Sequence, residues 1–169
     1  MKVYQRESFV LGIMVVLTLS SSSVFAAKQK FSQPTFGGLK GVYLAVEDLS
    51  PEIEQDGLTT NHIIGDVEQR LRLAGIKVLS EEKWKKEKGS PYLYVNAHIM
   101  KVMNGVYIFN ISTAFIQEVH LVRSSHIKVP ASIWSEETLG ISDQLRDIRN
   151  PTKDCVDKFI SAYLSMNPK

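Results

Sequence analysis

Cysteine is nearly absent: the 169-residue chain carries one, Cys155. A lone thiol excludes an intrachain disulfide framework and any zinc site built on paired cysteines. Charge of one sign is lacking too. Lys and Arg number 20 against 18 Asp and Glu, a formal net charge of +2, so the surface as a whole has no field for gathering nucleic acid or a strongly acidic substrate. The longest apolar run, Phe9–Leu19, falls well short of the roughly 20 residues that cross a bilayer. Also missing are a G-x-G-x-x-G or Walker phosphate cradle, a G-x-S-x-G elbow and an H-E-x-x-H pair. Gly37, Gly38 and Gly41 precede the first expected strand, the wrong side for a phosphate loop. The adjacent carboxylates Glu81-Glu82 and Glu136-Glu137 sit at expected element ends and read as solvated caps. Of the histidines His62, His98, His120 and His126, no two stand at helical i,i+4 spacing. The expectation is a protein without cofactor or metal and without enzymatic activity, an unannounced catalytic constellation being the least favoured alternative.

What is present begins with a leader. Lys2 and Arg6 give a positive start, Phe9–Leu19 an apolar core, and Val24-Phe25-Ala26 small residues at cleavage spacing. Residues 1–26 are expected to be a cleaved signal peptide. No cysteine follows the apolar run to take a lipid, so the mature chain is expected in the periplasm or outside the cell, with no transmembrane span. Residues 27–38, rich in Gln, Ser, Pro and Gly, read as a flexible lead-in, and residues 39–169 as a single domain. With one cysteine in an oxidising compartment, that domain has to rely on its apolar core.

Leu39–Leu49 alternates as a strand closed by Ser50-Pro51. Ile63, Ile64, Val67, Leu71 and Ala74 then recur at helical spacing, with Thr59 or Thr60 as cap and Gly75 at the left-handed end position. Ile76–Leu79 reads as a short strand and Ser80-Glu81-Glu82 as the start of a charged helical turn. Two β-rich runs, Tyr92–Val102 and Val106–Arg123, flank Asn104-Gly105. A three-residue loop, Met103–Gly105, pairs Leu93 with Phe115, Ala97 with Ile111 and Ile99 with Phe109, which makes one face wholly apolar and puts Gly105 at the left-handed third position. A second hairpin through Arg123–His126 pairs Leu121 with Ile127, Val119 with Val129 and Phe115 with Ile133, and Pro130 suits an edge or a bulge. Ile141, Leu145 and Ile148 suggest a short helix. Asn150-Pro151 then starts a last one bearing Val156, Phe159, Ile160, Tyr163 and Leu164. The expected fold is α+β, a two-layer sandwich of order β-α-β-β-β-β-α, with a mostly antiparallel sheet and two helices packed on one face.

Helices on one side leave the other sheet face open. In this register it carries Tyr94, Asn96 and His98 beside Asn110, with Tyr94, Ala114 and Trp134 in one row. Two aromatics around a small residue, next to a polar patch, suit a partner that is partly apolar. Tyr94, Asn96, His98, Asn110 and Trp134 are therefore the expected binding set. His98 and His120 share the face but lie roughly 33 Å apart along it, too far for a common metal. The Lys83–Lys88 run, with Trp84 inside it, supplies an alternative: contact with anionic lipid or lipopolysaccharide.

Four stretches resemble a type of small exported bacterial domain of unknown function: Leu73–Val78, Pro91–Val95, Ile133–Gly140, and Phe159–Leu164 through Asn167-Pro168. The expected topology is also similar to the amino-terminal domain of the Tol-system periplasmic β-propeller protein, and more loosely to outer-membrane assembly and curli-secretion accessory domains. The resemblance implies a periplasmic binding or scaffolding module without cofactor, with a cell-envelope protein or lipid component as partner and no nucleic acid. A homodimer through sheet edges is left open by the single Pro130. Asn150-Pro151 departs from the resemblance, since an uninterrupted last helix is the simpler expectation.

Overall fold

The strand pair at the centre follows from alternation. Leu93, Val95, Ala97 and Ile99 of β2 (Tyr92–Lys101) and Phe109, Ile111, Thr113 and Phe115 of β3 (Tyr107–Leu121) all point to one side and are buried. The structure is a computed structural model that describes residues 36–168. Around the central pair lie β1 (Tyr43–Val46), α1 (Pro51–Gln55), α2 (Thr60–Leu73), α3 (Glu81–Trp84), β4 (Ser124–Ser142) and α4 (Arg149–Met166). The sheet order is β1-β2-β3-β4, with β1 parallel to β2 and the other neighbours antiparallel. Ile63, Val67 and Leu71 of α2 and Val156, Phe159 and Tyr163 of α4 are buried in the same core as the inward side chains of β2 and β3, with the Phe159 ring stacked 5.6 Å from Phe115. The fold is the expected α+β sandwich.

The hairpin register is the one that burial and turn chemistry select: Leu93 faces Phe115, Ala97 faces Ile111 and Ile99 faces Phe109. The loop Met103–Gly105 is a 3-10 turn in which Asn104 and Gly105 take positive φ of 67° and 73°. At α2, Thr59 caps the first turn by accepting from the His62 N–H, while the His62 ring accepts from the Thr59 N–H. Ile76 N–H donates to Leu71 O and Gly75 N–H to Arg72 O, a closing pattern that Gly75 permits at φ 77°.

Several expectations are corrected. Ile76–Leu79 is not a strand but a single parallel bridge, Val42 to Val78, because Ser80 already starts the next helix. Phe36, assigned to the lead-in, is a core residue, its ring 5.2 Å from Phe115 and 5.6 Å from Phe159. The last helix is not interrupted: α4 starts at Arg149, directly after a 3-10 turn at Leu145–Ile148, so Pro151 falls in the first turn, where its missing N–H costs nothing. Ile141 lies in β4 instead of a helix.

The largest correction concerns β4. Five consecutive pairs, from Ile116 with Ser132 to His120 with Lys128, hold the expected register, Val119 with Val129 among them. The ladder then shifts between Phe115 and Ile116, so that Phe115 faces Trp134 and Ile133 is the extra residue of a bulge. One added residue inverts every later side chain. Trp134 consequently points to the helix side, 5.5 Å from the Phe159 ring, and the strand continues to Ser142. At the other end the turn is Val122-Arg123, with Leu121 paired to Ser124 instead of Ile127.

Candidate binding face of the sheet

The uncovered face is built row by row from the ladder. Tyr43, Tyr92, Ile116 and Ser132 form one row, and Ala45, Tyr94, Ala114 and Ser135 the next. Asn96, Ser112 and Glu137 follow, then His98, Asn110 and Leu139, and finally Met100, Ile108 and Ile141 beside the hairpin loop. The face therefore has an aromatic end, a polar middle and an apolar end.

The aromatic end is partly roofed by α3. Trp84 stacks on Tyr43 at 4.7 Å and meets Tyr92 edge-on at 5.9 Å. The indole Nε1 is buried and has no hydrogen-bond partner among the described residues. In the middle, Asn110 Nδ2 donates to Glu137 Oε1 at 2.6 Å, and Tyr94 Oη donates to Glu47 Oε2 at 2.7 Å. That bond to a carboxylate, with some desolvation, holds the Tyr94 phenol above its ordinary pKa. Both polar anchors are thus neutral donors committed to acidic acceptors, and the His98 ring beside them is exposed.

The apolar end is the open one. Met100, Leu139 and Ile141 are 50%, 72% and 75% exposed. Scattered apolar residues on a surface need no account, but these occupy neighbouring ladder positions on one face. Leu139 and Ile141 also border the sheet edge, since nothing among the described residues pairs with the outer side of β4. Such an edge offers a row of free N–H and C=O groups to another chain.

Of the expected set, the sheet brings together Tyr94, Asn96, His98 and Asn110 on this face. Trp134 is on the opposite side and packs against the core, displaced by the Ile133 bulge. Sequence reasoning missed Tyr43 and Trp84, whose stacking depends on the parallel pairing of β1 with β2, and Leu139 and Ile141, whose strand was not foreseen. The signal for the last two was present as the alternation Thr138, Leu139, Gly140, Ile141.

Elsewhere, Cys155 lies on the buried face of α4, and that burial pushes its thiol up, away from the reactive thiolate. Among the described residues no three His, Cys, Asp or Glu side chains are grouped to hold a metal, and no helix is long and apolar enough to cross a membrane. The expected leader lies outside the described residues.

No protein-family model and no curated protein sequence matches the chain. Among solved structures, it is similar to a point variant of the PelC dodecamer from Paraburkholderia phytofirmans. The identity is 13% and the TM-score 0.46, over 78% of this chain and 93% of that one. It is also similar to a minor lipoprotein from Acinetobacter baumannii, with 9% identity and a TM-score of 0.28, over 76% of this chain and 95% of the other.

Proposed function

We propose that this protein is a non-enzymatic binding or scaffolding module of the bacterial cell envelope, acting in the periplasm, and that its open sheet face takes a protein partner. The observation that carries the reading is the exposed trio Met100, Leu139 and Ile141, with half-buried Ile108 between Met100 and Ile141 in the ladder, next to the free outer side of β4. Leu139 and Ile141 together offer a partner about 2 to 4 kcal/mol of burial, at about 1 to 2 kcal/mol for each three-quarters-exposed side chain. The adjacent Asn96, His98, Asn110 and Glu137 fix orientation more than affinity, as polar groups beside an apolar centre do. The envelope location rests on the leader of residues 1–26.

The test is crosslinking capture from the native envelope with the full chain, expressed with its leader and tagged at the carboxyl end. Leu139→Asp/Ile141→Asp is compared with wild type, and both sites are exposed enough for the variant to fold. A defined protein retained by wild type and lost by the folded variant supports the reading. Equal retention by both removes the face from the interaction.

A further inference from the structure

At the end of the sheet away from the Met103–Gly105 loop, the segment entering β1 and the segment entering β2 stand apart. The cleft between them has a volume of about 790 Å³. One wall is Gly37, Gly38 and Lys40, the other Lys86 and Lys88, and Gln117 of β3 closes it. The glycines leave that wall without side chains. Gly38 takes φ 78°, a conformation that favours glycine, although a Cβ there would meet nothing within 4 Å.

The cleft is electropositive by placement. Three lysines line it against a single carboxylate, Glu87, whose contact with Lys40 is long at 3.9 Å. Lys86 and Lys88 have no acidic partner within 4.0 Å among the described residues, whereas Lys85, one and three positions away on the same segment, is tied to Glu81. Elsewhere among the described residues Lys101, Lys128, Lys153 and Lys158 have carboxylates while Lys77 and Lys83 do not, so what sets the cleft apart is that its lysines line one cavity together. Lysine ammonium groups are point charges that suit a compact, multiply charged anion, and no arginine fork is present to favour a planar carboxylate. The volume lies within the range of small-molecule sites and far exceeds a bare phosphate ion.

We propose that this cleft binds a phosphate-bearing ligand with the bulk of a phosphorylated sugar or headgroup, held by Lys40, Lys86 and Lys88. The same chemistry is offered by a soluble sugar phosphate and by the headgroup of an anionic lipid at a membrane surface. The site is independent of the sheet face, so either can fail without the other.

The test uses the full chain after export and two probes: inorganic pyrophosphate in calorimetric titration, and co-sedimentation with phosphatidylcholine vesicles with and without phosphatidylglycerol. Lys40→Gln/Lys86→Gln/Lys88→Gln is compared with Lys77→Gln/Lys83→Gln/Lys85→Gln, which removes equal charge outside the cleft. The cleft variant is expected to weaken binding at least tenfold and the control at most about twofold, with wild-type affinity falling as salt is raised. Vesicle retention that needs phosphatidylglycerol and is competed by pyrophosphate assigns the site to a lipid headgroup. Pyrophosphate binding without vesicle retention assigns it to a soluble ligand. Binding of neither probe, or equal loss in the two variants, overturns the proposal.

Discussion

Asp66 is the one charged residue buried among the described residues, and the consequence of removing its partner can be worked from its surroundings. Arg149 Nε donates to Asp66 Oδ2 at 2.6 Å and Nη2 to Oδ1 at 2.7 Å, joining α2 to the start of α4, while Lys153 Nζ stands 3.5 Å from Oδ1. The side chain of Asp66 is 6% exposed, those of Arg149 and Lys153 35% and 24%. The burial is one-sided. Arg149→Ala leaves a buried carboxylate with a single, longer contact, whereas Asp66→Asn leaves two cations that can reach water. Removing one partner of a fully buried pair costs about 3 to 5 kcal/mol and an exposed pair is worth about 0 to 1. Arg149→Ala is therefore expected to cost about 2 to 3 kcal/mol and Asp66→Asn about 1 to 2. For a domain of this size the former lowers the midpoint by roughly 6 to 12 °C.

Acid adds a second arm to that experiment. Burial by itself raises the Asp66 carboxyl, but the hydrogen bonds and charge of Arg149 and the charge of Lys153 outweigh it and hold the group below its ordinary value. A pKa lower in the folded than in the unfolded state means stability that is complete above the unfolded value of about 3.9 and is lost as pH falls through the folded one. Urea unfolding of wild type should thus lose stability below about pH 4 more steeply than Asp66→Asn. Equal acid slopes, or Arg149→Ala no worse than Asp66→Asn, would refute the account of a buried carboxylate held by a half-exposed clamp.

Trp134→Ala should destabilise by about 2 to 3 kcal/mol in urea, because the indole packs on Phe159; an unchanged midpoint would put Trp134 back on the surface. Gly140 faces Phe109 in the ladder, and a Cβ there would fall 2.4 Å from the ring's Cζ. Gly140→Ala is expected to cost about 1 to 3 kcal/mol, and a smaller loss in thermal unfolding would mean that the Phe109 ring moves aside freely. Thr59→Ala should remove about 1 kcal/mol with the cap of α2, measured by denaturant titration. Cys155, buried and with its thiol pushed up, should react with a disulfide reagent at pH 8 only as fast as the domain opens; stoichiometric labelling within seconds would contradict its burial.

The parts legible in the sequence were those fixed by two independent constraints at once. For the β2–β3 hairpin, the apolar face and the glycine at the third loop position select the same register, and every expected pair is found. For α2, the cap at Thr59 and the glycine at position 75 bound a stripe whose period already implied helix. Where only one constraint operated, the reading slipped. Alternation carried the second hairpin correctly only from His120 through Ile116, its turn being tighter than expected, and no local signal distinguishes a bulge at Ile133 from a regular residue. What decides it is the room beside Phe159, which only the folded core supplies. Trp134 left the candidate set for that reason, while Tyr94, Asn96, His98 and Asn110, governed by the doubly constrained hairpin, stayed on one face. Tyr43 and Trp84 escaped because parallel pairing of β1 with β2 joins segments far apart in the chain, with no turn between them to announce it.

The two ends of the described chain are clasped together. Asn167 Nδ2 donates to Phe36 O at 2.8 Å, Gly38 N–H donates to Asn167 Oδ1 at 3.1 Å, and Tyr163 Oη donates to Leu39 O at 2.9 Å. Whatever is joined to either end leaves from one place, next to Phe115 and the last turn of α4. The hairpin loop with Met100, Leu139 and Ile141 lies about 27 Å away, eight residues up β3. A tether at either terminus would therefore hold the domain like a peg by its base, with the apolar tip presented outward.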